Sequence, residues 1–303
     1  MHDWTGSAKC RTSPAVDRSL AIENHPQVPR ISTYVVCLNE AVGIERCLRS
    51  AARSDQIVVV DSGSTDGTVA IVERLAEEGL PIELHRRDWP GYAAQKQWAL
   101  ERCTGEWCIN LDGDEELAPG LFDRLMPILG STKAAGIRVG RRLALYGLGL
   151  PPRGVGVFPL MRIHRREGAH YDLATRVHEN VLLDGPTETH LALEVRDLRA
   201  LPFREQAEKE LRYAALKAEQ SLEAGRRPSL GKLLLNPPYA FLRTYLMRRL
   251  FLAGRAGFVR AALFGIYAFA TEAIMFDRAG RSARRSGVSE GTKENAGETS
   301  ENA

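Results

Sequence analysis

Two short stretches place carboxylates directly after an apolar run, where side chains can take part in chemistry. In IVVVDSGSTDGT (57–68), four branched aliphatic residues end at Asp61, and a small polar turn follows. In INLDGDEE (109–116), an apolar run ends at Asp112, and Asp114 follows two residues later. A carboxylate at a strand end can accept hydrogen bonds from a ligand's imide N–H or hydroxyl groups. Carboxylates at i and i+2 of an extended segment project to the same side, so both can reach one hard cation.

Each stretch also has a structural interpretation. Asp61 would then cap its own turn, with Asp66 as a helix N-cap, and the acidic run would be a solvated turn before a helix. A D-x-D pattern arises often by chance, so its position after a buried strand is what gives it weight. In diphosphate chemistry a divalent cation is commonly held by one or two carboxylates and by phosphate oxygens, because the ion offsets charge on the leaving group. The pattern favours a Mg²⁺ or Mn²⁺ site and leaves the structural alternative open.

A regular alternation of strands and helices would position these carboxylates. Four apolar runs predict buried strands: 31–38, 56–60, 81–86 and 106–111. Helices are predicted after them: 41–53, from Thr65 or Asp66 to Gly79, 92–103, and onward from Pro119. Strands that are apolar on both faces and alternate with helices form an α/β fold, a mostly parallel sheet flanked by helices. Ligands bind at the carboxyl ends of such strands, so the polar residues after the first, second and fourth strands are expected at one edge.

Composition divides the rest of the chain. Residues 1–29 are polar and show no sustained period, and they are predicted to be a disordered leader. The α/β domain is predicted over 30–200, with a less regular, mixed sheet beyond about 130. Helix formers dominate 201–285, and the tail 286–303 is low in apolar residues, which predicts disorder. A chain of 303 residues is long enough for one large domain with a helical extension.

The predicted helical extension is strongly basic. Within 226–285, twelve Arg and Lys residues face only Glu272 and Asp277, a net charge of +10 in a chain whose total is +3. Its predicted helices, about 229–252 and 256–276, mix arginines with aromatic residues, as interfacial helices on an anionic membrane do. The alternative is a helical cap packed on the α/β domain with a solvated basic surface. Nucleic acid is disfavoured as a partner, because no recognition motif accompanies the charge.

Composition also disfavours several kinds of site and segment. The five cysteines are odd in number and form no C-x-x-C pair, which favours free thiols in a reducing compartment over disulfides or zinc. The N-terminus has no apolar core of a secretory signal. The longest mild apolar run, 261–271, is too short to span a bilayer. Four histidines without ligand spacing, His164 among them, are expected at the surface or in loops.

Four segments, in this order and spacing, resemble those of family 2 glycosyltransferases: YVVCLNE (34–40), IVVVDSGSTDGT (57–68), WPGYAAQKQWAL (89–100) and INLDGDEEL (109–117). Together they are a specific signature, most similar to the branch that includes lipopolysaccharide core β-glucosyltransferases. The resemblance is close over about 31–130 and looser to about 276. It implies a GT-A fold, a UDP-linked or other nucleotide-diphosphate sugar donor, a Mg or Mn ion, and inversion at the anomeric carbon. It also implies a lipopolysaccharide-core or other lipid-linked glycan acceptor, met at the inner face of the cytoplasmic membrane.

The resemblance implies roles for several residues in the nucleotide-sugar half of the domain, about 30–130. It implies that Asp61 contacts the base or ribose of the donor, and that Asn39 and Glu40 border the same nucleotide pocket. Of the D-x-D pair, Asp112 is implied in donor and metal binding, and Asp114 is the preferred direct metal ligand.

The same resemblance places Gln95 and Lys96 in the first turn of a helix. A cation and the positive helix end both suit a diphosphate there. The alternative for Lys96 is a solvent-exposed helix lysine. Gly113 stands where the family often has alanine, and this is expected to matter little because that side chain is expected to point away.

Inversion by single displacement needs a general base that takes the proton of the attacking acceptor hydroxyl. RVHENV (176–181) resembles the family's V-H-E segment, which makes Glu179 the candidate base, and Asp172 is the second choice. Both lie in the acceptor half, 131–200. The competing interpretation of Glu179 is an edge-strand glutamate paired with Arg176.

Two rival functions remain open. A sugar nucleotidyltransferase would need a loop like G-G-x-G-T-R after the first strand, where this chain has CLNEAVG. A catalytically silent nucleotide-sugar-binding scaffold is the rival outside the enzymes, and the acidic residues argue against it without excluding it.

Overall fold

The computed structural model describes residues 28–174 and 180–294, with side chains as far as 280. The strands in that part of the chain are β1 (Ile31–Cys37), β2 (Gln56–Asp61), β3 (Ile82–Arg86), β4 (Trp107–Asp112), β5 (Glu115–Leu117), β6 (Gly136–Leu143), β7 (Val157–Arg165), β8 (His170–Tyr171), β9 (Val181–Leu182) and β10 (Thr187–Asp197). The helices are α1 (Ile44–Ser50), α2 (Thr68–Glu77), α3 (Tyr92–Leu100), α4 (Leu121–Leu129), α5 (Phe203–Glu223), α6 (Leu230–Leu242) and α7 (Gly254–Glu294). Most of the predicted leader and the predicted base Glu179 lie outside the described residues.

Eight strands form one sheet in the order β3-β2-β1-β4-β7-β6-β10-β5. The first four strands along this order are parallel to one another. Strand β7 runs antiparallel to both β4 and β6, whereas β10 is parallel to β6 and β5 is antiparallel to β10. The predicted α/β fold is confirmed, with a parallel first half and a mixed second half.

Both faces of the parallel half are covered by helices, which explains why its strands are apolar without alternation. In β2, Ile57 and Val59 pack on the side of α1, α2 and α4, while Val58 and Val60 pack on the side of α3. Successive side chains of a strand point to opposite faces, so each strand contributes to two cores. The four cysteines within the described residues are free and buried, as predicted.

Several helices begin later than their apolar patterns predict. A turn in which Gly43 and Ile44 donate backbone N–H bonds to the Glu40 carbonyl precedes α1. Helix α2 begins at Thr68, after Gly67 at φ 93°, because the loop after β2 stays non-helical through this left-handed glycine. The predicted caps Asp66 and Thr65 therefore lie two and three residues before the first helical residue, and Gly67 is the N-cap. Helix α4 likewise begins only after Gly120, at φ 71°.

A buried polar network lies beneath the α3 side of the sheet. Tyr34 Oη lies 3.0 Å from His164 Nε2 and 2.6 Å from Tyr171 Oη. Asn110 Nδ2 donates to the Tyr171 hydroxyl at 2.6 Å. His164 is fully buried, so its expected place at the surface is wrong. Burial lowers the pKa of His164 to about 4, because the charged imidazolium loses its hydration there.

The C-terminal helices pack on one another and on the second half of the sheet. Arg260 pairs with Glu210 at 2.8 Å and Arg278 pairs with Glu219 at 3.2 Å, and both ion pairs join α7 to α5. The predicted helix over 229–252 is broken after α6 by a π-helical turn at 243–247, followed by Arg249 at φ 56°. Pro237 and Pro238 within α6 remove two backbone donors, which weakens the regular hydrogen-bond pattern leading into this break.

One helical stretch in the described part of the chain, Leu250–Gly280, is long and apolar enough to cross a membrane by length and composition. The run 261–271 is one part of this stretch, which continues through the charged residues at both ends of the run. Only 28% of its most apolar window is buried in the protein. Helix α7 also extends to Glu294, into the tail predicted to be disordered from 286, since a helix already formed adds residues at little cost.

We expect His164→Gln to reduce the pH dependence of the free energy of unfolding. Unfolded His164 binds a proton near its ordinary pKa of 6.5, whereas the folded group does so only near 4, so wild-type stability falls as the pH drops through this window. Between about pH 7 and about pH 5 the wild type should lose about 2 kcal/mol more free energy of unfolding than the variant. Urea unfolding at both pH values measures this. His170→Gln, at an exposed histidine, is the control, and equal losses in all three proteins would contradict the prediction.

Candidate active site

The register of the parallel strands brings the predicted polar edge together. Asp61 lies opposite Cys37 of β1, and Asp112 lies opposite Val36 on the other side of the same strand. Neighbouring strands are about 4.8 Å apart, so the backbones of the two aspartates are about 10 Å apart across β1. The loop that carries Glu40 follows β1 and so emerges between them.

Asn39 and Asp61 hold the loops of this edge in place. Asn39 Oδ1 accepts the Thr65 N–H at 2.8 Å, and the Asn39 N–H donates to Ser64 Oγ at 2.8 Å. Asp61 is buried, and its Oδ2 accepts the N–H groups of Gly63 and Ser64 at 3.0 Å each. The structural interpretation of Asp61 as a turn cap is therefore correct, and its contact with a nucleotide stays a prediction.

Gln95 and Lys96 lie in α3, next to the β2 and β4 ends. Gln95 is buried and donates to Ser62 Oγ at 3.1 Å, so it joins α3 to the turn after β2. Lys96 is only 5% exposed, and its Nζ lies 3.0 Å from Asp112 Oδ1. The alternative of a solvent-exposed lysine is therefore wrong. Because α3 begins at Tyr92, Lys96 lies beyond the first turn, and the expected place at the positive helix end is also wrong.

Asp112 is held between two cations. Lys96 contacts Oδ1, and the buried Arg162 of β7 contacts Oδ2 at 2.5 Å. Burial alone would raise the pKa of Asp112, but Arg162 and then Lys96 outweigh it and hold the pKa well below its usual range. Asp112 is therefore a permanent carboxylate whose charge is already compensated by protein side chains.

The ion pairs continue across the mixed half of the sheet. Arg162 also contacts Glu115 Oε2 at 2.6 Å, and Glu115 is almost fully buried. Arg141 Nε lies 2.8 Å from Glu115 Oε1, and Arg141 Nη2 lies 2.7 Å from Asp197 Oδ2. Positive and negative side chains thus alternate from α3 to the end of β10. This ion-pair chain consists of Lys96, Asp112, Arg162, Glu115, Arg141 and Asp197.

Asp114 and Glu40 lie beside the ion-pair chain and are less well compensated. Burial raises the pKa of Asp114, and the neighbouring carboxylates of Asp197 and Asp112 raise it further. Burial also raises the pKa of Glu40 to about 7, against the lowering effect of Arg199. Arg199 pairs with Glu40 at 2.5 Å and lies 3.6 Å from Asp114 Oδ2. One half-exposed arginine therefore serves two carboxylates.

Alternation along an extended segment predicted that Asp112 and Asp114 project to the same side. The structure shows that they do not. Gly113 and Asp114 form a tight turn between β4 and β5, so Asp112 points to Lys96 and Arg162 while Asp114 points to Arg199. A Cβ added at Gly113 would lie 2.9 Å from Glu40 Cγ and 3.4 Å from Cys37 Cβ. The expectation that a side chain there points away is wrong, and glycine lets the turn pack against Glu40.

No three His, Cys, Asp or Glu side chains are grouped as ligands for a metal within the described residues. Asp114 by itself nevertheless suits a cation. Its carboxylate lies among other acids that raise its pKa, and a bound cation would offset this repulsion. A single carboxylate fits a divalent ion whose remaining ligands are substrate phosphates and water.

These residues line a large cleft with a volume of about 1270 Å³. Of the predicted site residues that the structure describes, Glu40, Lys96, Asp112 and Asp114 line it, whereas Asn39, Asp61, Gln95 and Asp172 do not. The lining includes the aromatic pair Trp89 and Tyr92, next to α3, and residues of α5 and α7. The cleft therefore lies between the parallel half of the sheet and the helical extension.

Of the two predicted general bases, the structure describes Asp172 but not Glu179. Asp172 is exposed, and its Oδ1 accepts the Ala174 N–H at 3.0 Å. Glu179 lies outside the described residues, but Asn180, which follows it directly, lines the cleft.

Sequence reasoning missed the arginines and acids that surround Asp112 and Asp114. These residues are Arg141, Arg162, Glu115, Asp197 and Arg199. A signal existed for Arg162, since it stands in the middle of the apolar strand pattern FPLMRIH, where a charge needs a buried partner. The partners themselves come from strands far apart in sequence and carried no such signal.

The chain was compared with known proteins. Residues 32–175 match the family described as Glycosyl transferase family 2. Over 260 residues, 86% of this chain, it is 40% identical to the lipopolysaccharide core biosynthesis glycosyltransferase LpsC of Rhizobium meliloti and covers 96% of that protein. It is 26% identical to an uncharacterized glycosyltransferase of Rickettsia bellii, over 79% of this chain and 84% of the relative.

A solved structure shares the fold. The mannosyltransferase PcManGT from Pyrobaculum calidifontis, in complex with GDP-Man and Mn²⁺, superposes with a TM-score of 0.55 at 18% identity, over 83% of this chain and 88% of that one. The sheet order, the flanking helices and this likeness confirm the GT-A fold. The chain is 40% identical to LpsC over almost the whole length of that protein, and it matches the family 2 model. It therefore belongs to the family 2 glycosyltransferases.

Proposed function

We propose that this glycosyltransferase moves a sugar from a nucleotide-diphosphate donor, UDP-linked, to a lipopolysaccharide-core or other lipid-linked glycan, with inversion and with a divalent cation. The observation that carries the proposal is the pairing of a compensated Asp112 with an undercompensated Asp114 at the edge of one cleft. The 40% identical relative is described as a lipopolysaccharide core biosynthesis enzyme, which supports the acceptor class.

The donor occupies the parallel end of the cleft in this proposal. Trp89 and Tyr92 meet edge to face with ring centroids 4.7 Å apart and offer apolar surface beside the strand ends. Lys96 and Arg162, fixed by Asp112, place charged N–H donors at this end for the diphosphate oxygens. Asp61 and Asn39 shape the loops around the base and ribose. A Mg or Mn ion on Asp114 would supply charge compensation for the leaving diphosphate.

The chain's own residues have separable tasks in the transfer. The acceptor hydroxyl attacks the anomeric carbon from the face opposite the diphosphate, and its proton passes to the base, for which we retain Glu179 with Asp172 second. The bond from the anomeric carbon to the diphosphate oxygen breaks in the same step. Lys96 and Arg162 lie where, in this proposal, the departing charge increases.

The surface of the helical extension also supports the proposal that this protein contacts a membrane. Helix α6 has no buried residue, and Leu230, Leu234 and Leu235 are each about two-thirds exposed or more. This apolar surface lies in the segment with a net charge of +10. Apolar side chains flanked by arginines are attracted to anionic lipid, at about 1 kcal/mol per basic residue near the surface. We propose contact with the cytoplasmic face of the membrane, where lipid-linked acceptors are met.

Asp114→Asn should lower transfer by about a hundredfold or more and abolish metal-dependent donor binding, because a metal ion is worth several kcal/mol to the transition state. The fold should be kept, since the variant removes a poorly compensated buried charge. Calorimetry with UDP-, GDP- and dTDP-sugars, with and without Mn²⁺, and a radiolabelled-sugar assay measure the two effects. The control is Glu116→Gln, an acid of the same segment outside the cleft lining. Normal turnover in Asp114→Asn would refute the metal assignment.

Glu179→Gln should reduce kcat by about 10²- to 10⁴-fold, the usual contribution of a general base. Donor affinity measured by calorimetry should stay close to wild type, since the base contacts the acceptor. Asp172→Asn is the matched variant and should keep most of the activity, because its carboxylate is exposed and outside the cleft lining. A large loss in Asp172→Asn with activity kept in Glu179→Gln would move the base to Asp172.

Replacing Leu234 and Leu235 together by Gln should weaken binding to anionic vesicles by about tenfold or more, because two exposed apolar side chains lose their burial in lipid. Sedimentation with phosphatidylglycerol-containing vesicles measures binding. Leu211→Gln, at an exposed leucine of α5, is the control. If the double variant binds as the wild type does, this surface does not contact the membrane.

A further inference from the structure

The cleft is larger than a nucleotide sugar needs. Small-molecule pockets are commonly about 300–1,000 Å³ in volume, and this one measures about 1270 Å³. Its lining includes residues of α5 and α7 as well as the strand ends. A second substrate therefore has its own wall, built from a part of the chain that follows the α/β domain. We call it the α5–α7 wall.

The α5–α7 wall is partly apolar and rigid. Phe264 of α7 stacks on Phe158 of β7 with ring centroids 5.7 Å apart and an angle of 27°. Arg260 lies over the Phe264 ring at 4.7 Å, and its guanidinium is fixed by Glu210 at 2.8 Å. Val259 and Leu263 of α7 extend the apolar surface. The C–H face of a sugar ring packs well on such a surface, which makes it suitable for a glycan.

Two cations of the α5–α7 wall are not held in an ion pair. Within the described part of the chain, Lys209 and Arg255 make no hydrogen bond or ion pair, unlike Arg260. Lys209 is half-buried, and burial raises the pKa of an acid that it influences, Asp197, against the lowering effect of Arg141 and, more weakly, of Lys209. A half-buried ammonium that lacks a paired anion is costly, so a ligand anion would be stabilising there.

The two unpaired cations bear on how an acceptor would bind. Lys209 and Arg255, both in the cleft lining, attract an anionic group. An acceptor that carries one anionic group would bind with this group on the α5–α7 wall. Its neutral hydroxyl would then be directed toward the part of the cleft where the proposed donor binds.

We propose that the α5–α7 wall is an acceptor subsite for an anionic glycan, in which Lys209 and Arg255 bind a carboxylate or a phosphate ester and the Phe158–Phe264 surface packs on a sugar ring. This inference rests on the proposed function, since it names a property of the acceptor.

The test uses the full-length chain and lipopolysaccharide isolated from source cells that lack this gene. Transfer is measured for the wild type, Lys209→Ala, Arg255→Ala and the control Lys217→Ala, whose side chain is on α5 but outside the cleft lining. The acceptor is used untreated, dephosphorylated or with its carboxyl groups reduced. We expect the acceptor KM of the first two variants to rise about tenfold, and the ratio of transfer to donor hydrolysis to fall with it.

The treated acceptors identify the anion. Removal of the recognised group should raise the wild-type KM about tenfold and leave the two variants insensitive to the treatment, and the effective treatment distinguishes phosphate from carboxylate. Unchanged KM values in both variants, or a loss equal to that of Lys217→Ala, would overturn the subsite. Failure of the proposed function is recognised separately, because the wild type would then neither hydrolyse the donor nor transfer its sugar.

Discussion

The pairing of buried charges across the sheet edge is the constraint on which the site depends. A buried carboxylate needs a cation or hydrogen-bond donors beside it, and removal of one partner from a buried ion pair costs about 3–5 kcal/mol. The ion-pair chain from Lys96 to Asp197 applies this rule over α3, β4, β5, β6, β7 and β10, so the two halves of the sheet are held in one register. Asp112 is compensated by this arrangement, and Asp114 is the less compensated of the two carboxylates.

The helical extension completes what the sheet edge begins. One side of α5 and α7 closes the cleft, while α6 turns its leucines away from the protein. The same extension therefore combines a wall of the cleft with an exposed apolar and basic surface. The ion pairs between α5 and α7 agree with a cap that packs on the protein, and contact of α6 with a membrane stays a proposal.

Much of the fold could be predicted from local patterns, and the departures have identifiable causes. The apolar runs located β1, β2, β3 and β4 within a residue or two, and the polar ends of the strands did meet at one edge. The helix starts were less accurate, because left-handed glycines such as Gly67 and Gly120 delay the first turn. His164 was misjudged, since nothing near it in sequence reveals the hydroxyl of Tyr34 that makes its burial possible. The D-x-D geometry was misjudged because alternation does not hold through a two-residue turn.

The sequence by itself determined the period of each element, the parallel sheet and the acidic residues at its edge, because hydrophobic periodicity and turn chemistry act between near neighbours. Only the tertiary structure decided which carboxylate is neutralised and which remains responsive. Arg162 and Lys96 approach Asp112 from β7 and α3, and Arg199 approaches Asp114 from the end of β10. These partners are distant along the chain, and electrostatic compensation depends on distances in space, which become defined only when the strands pair and the helices pack.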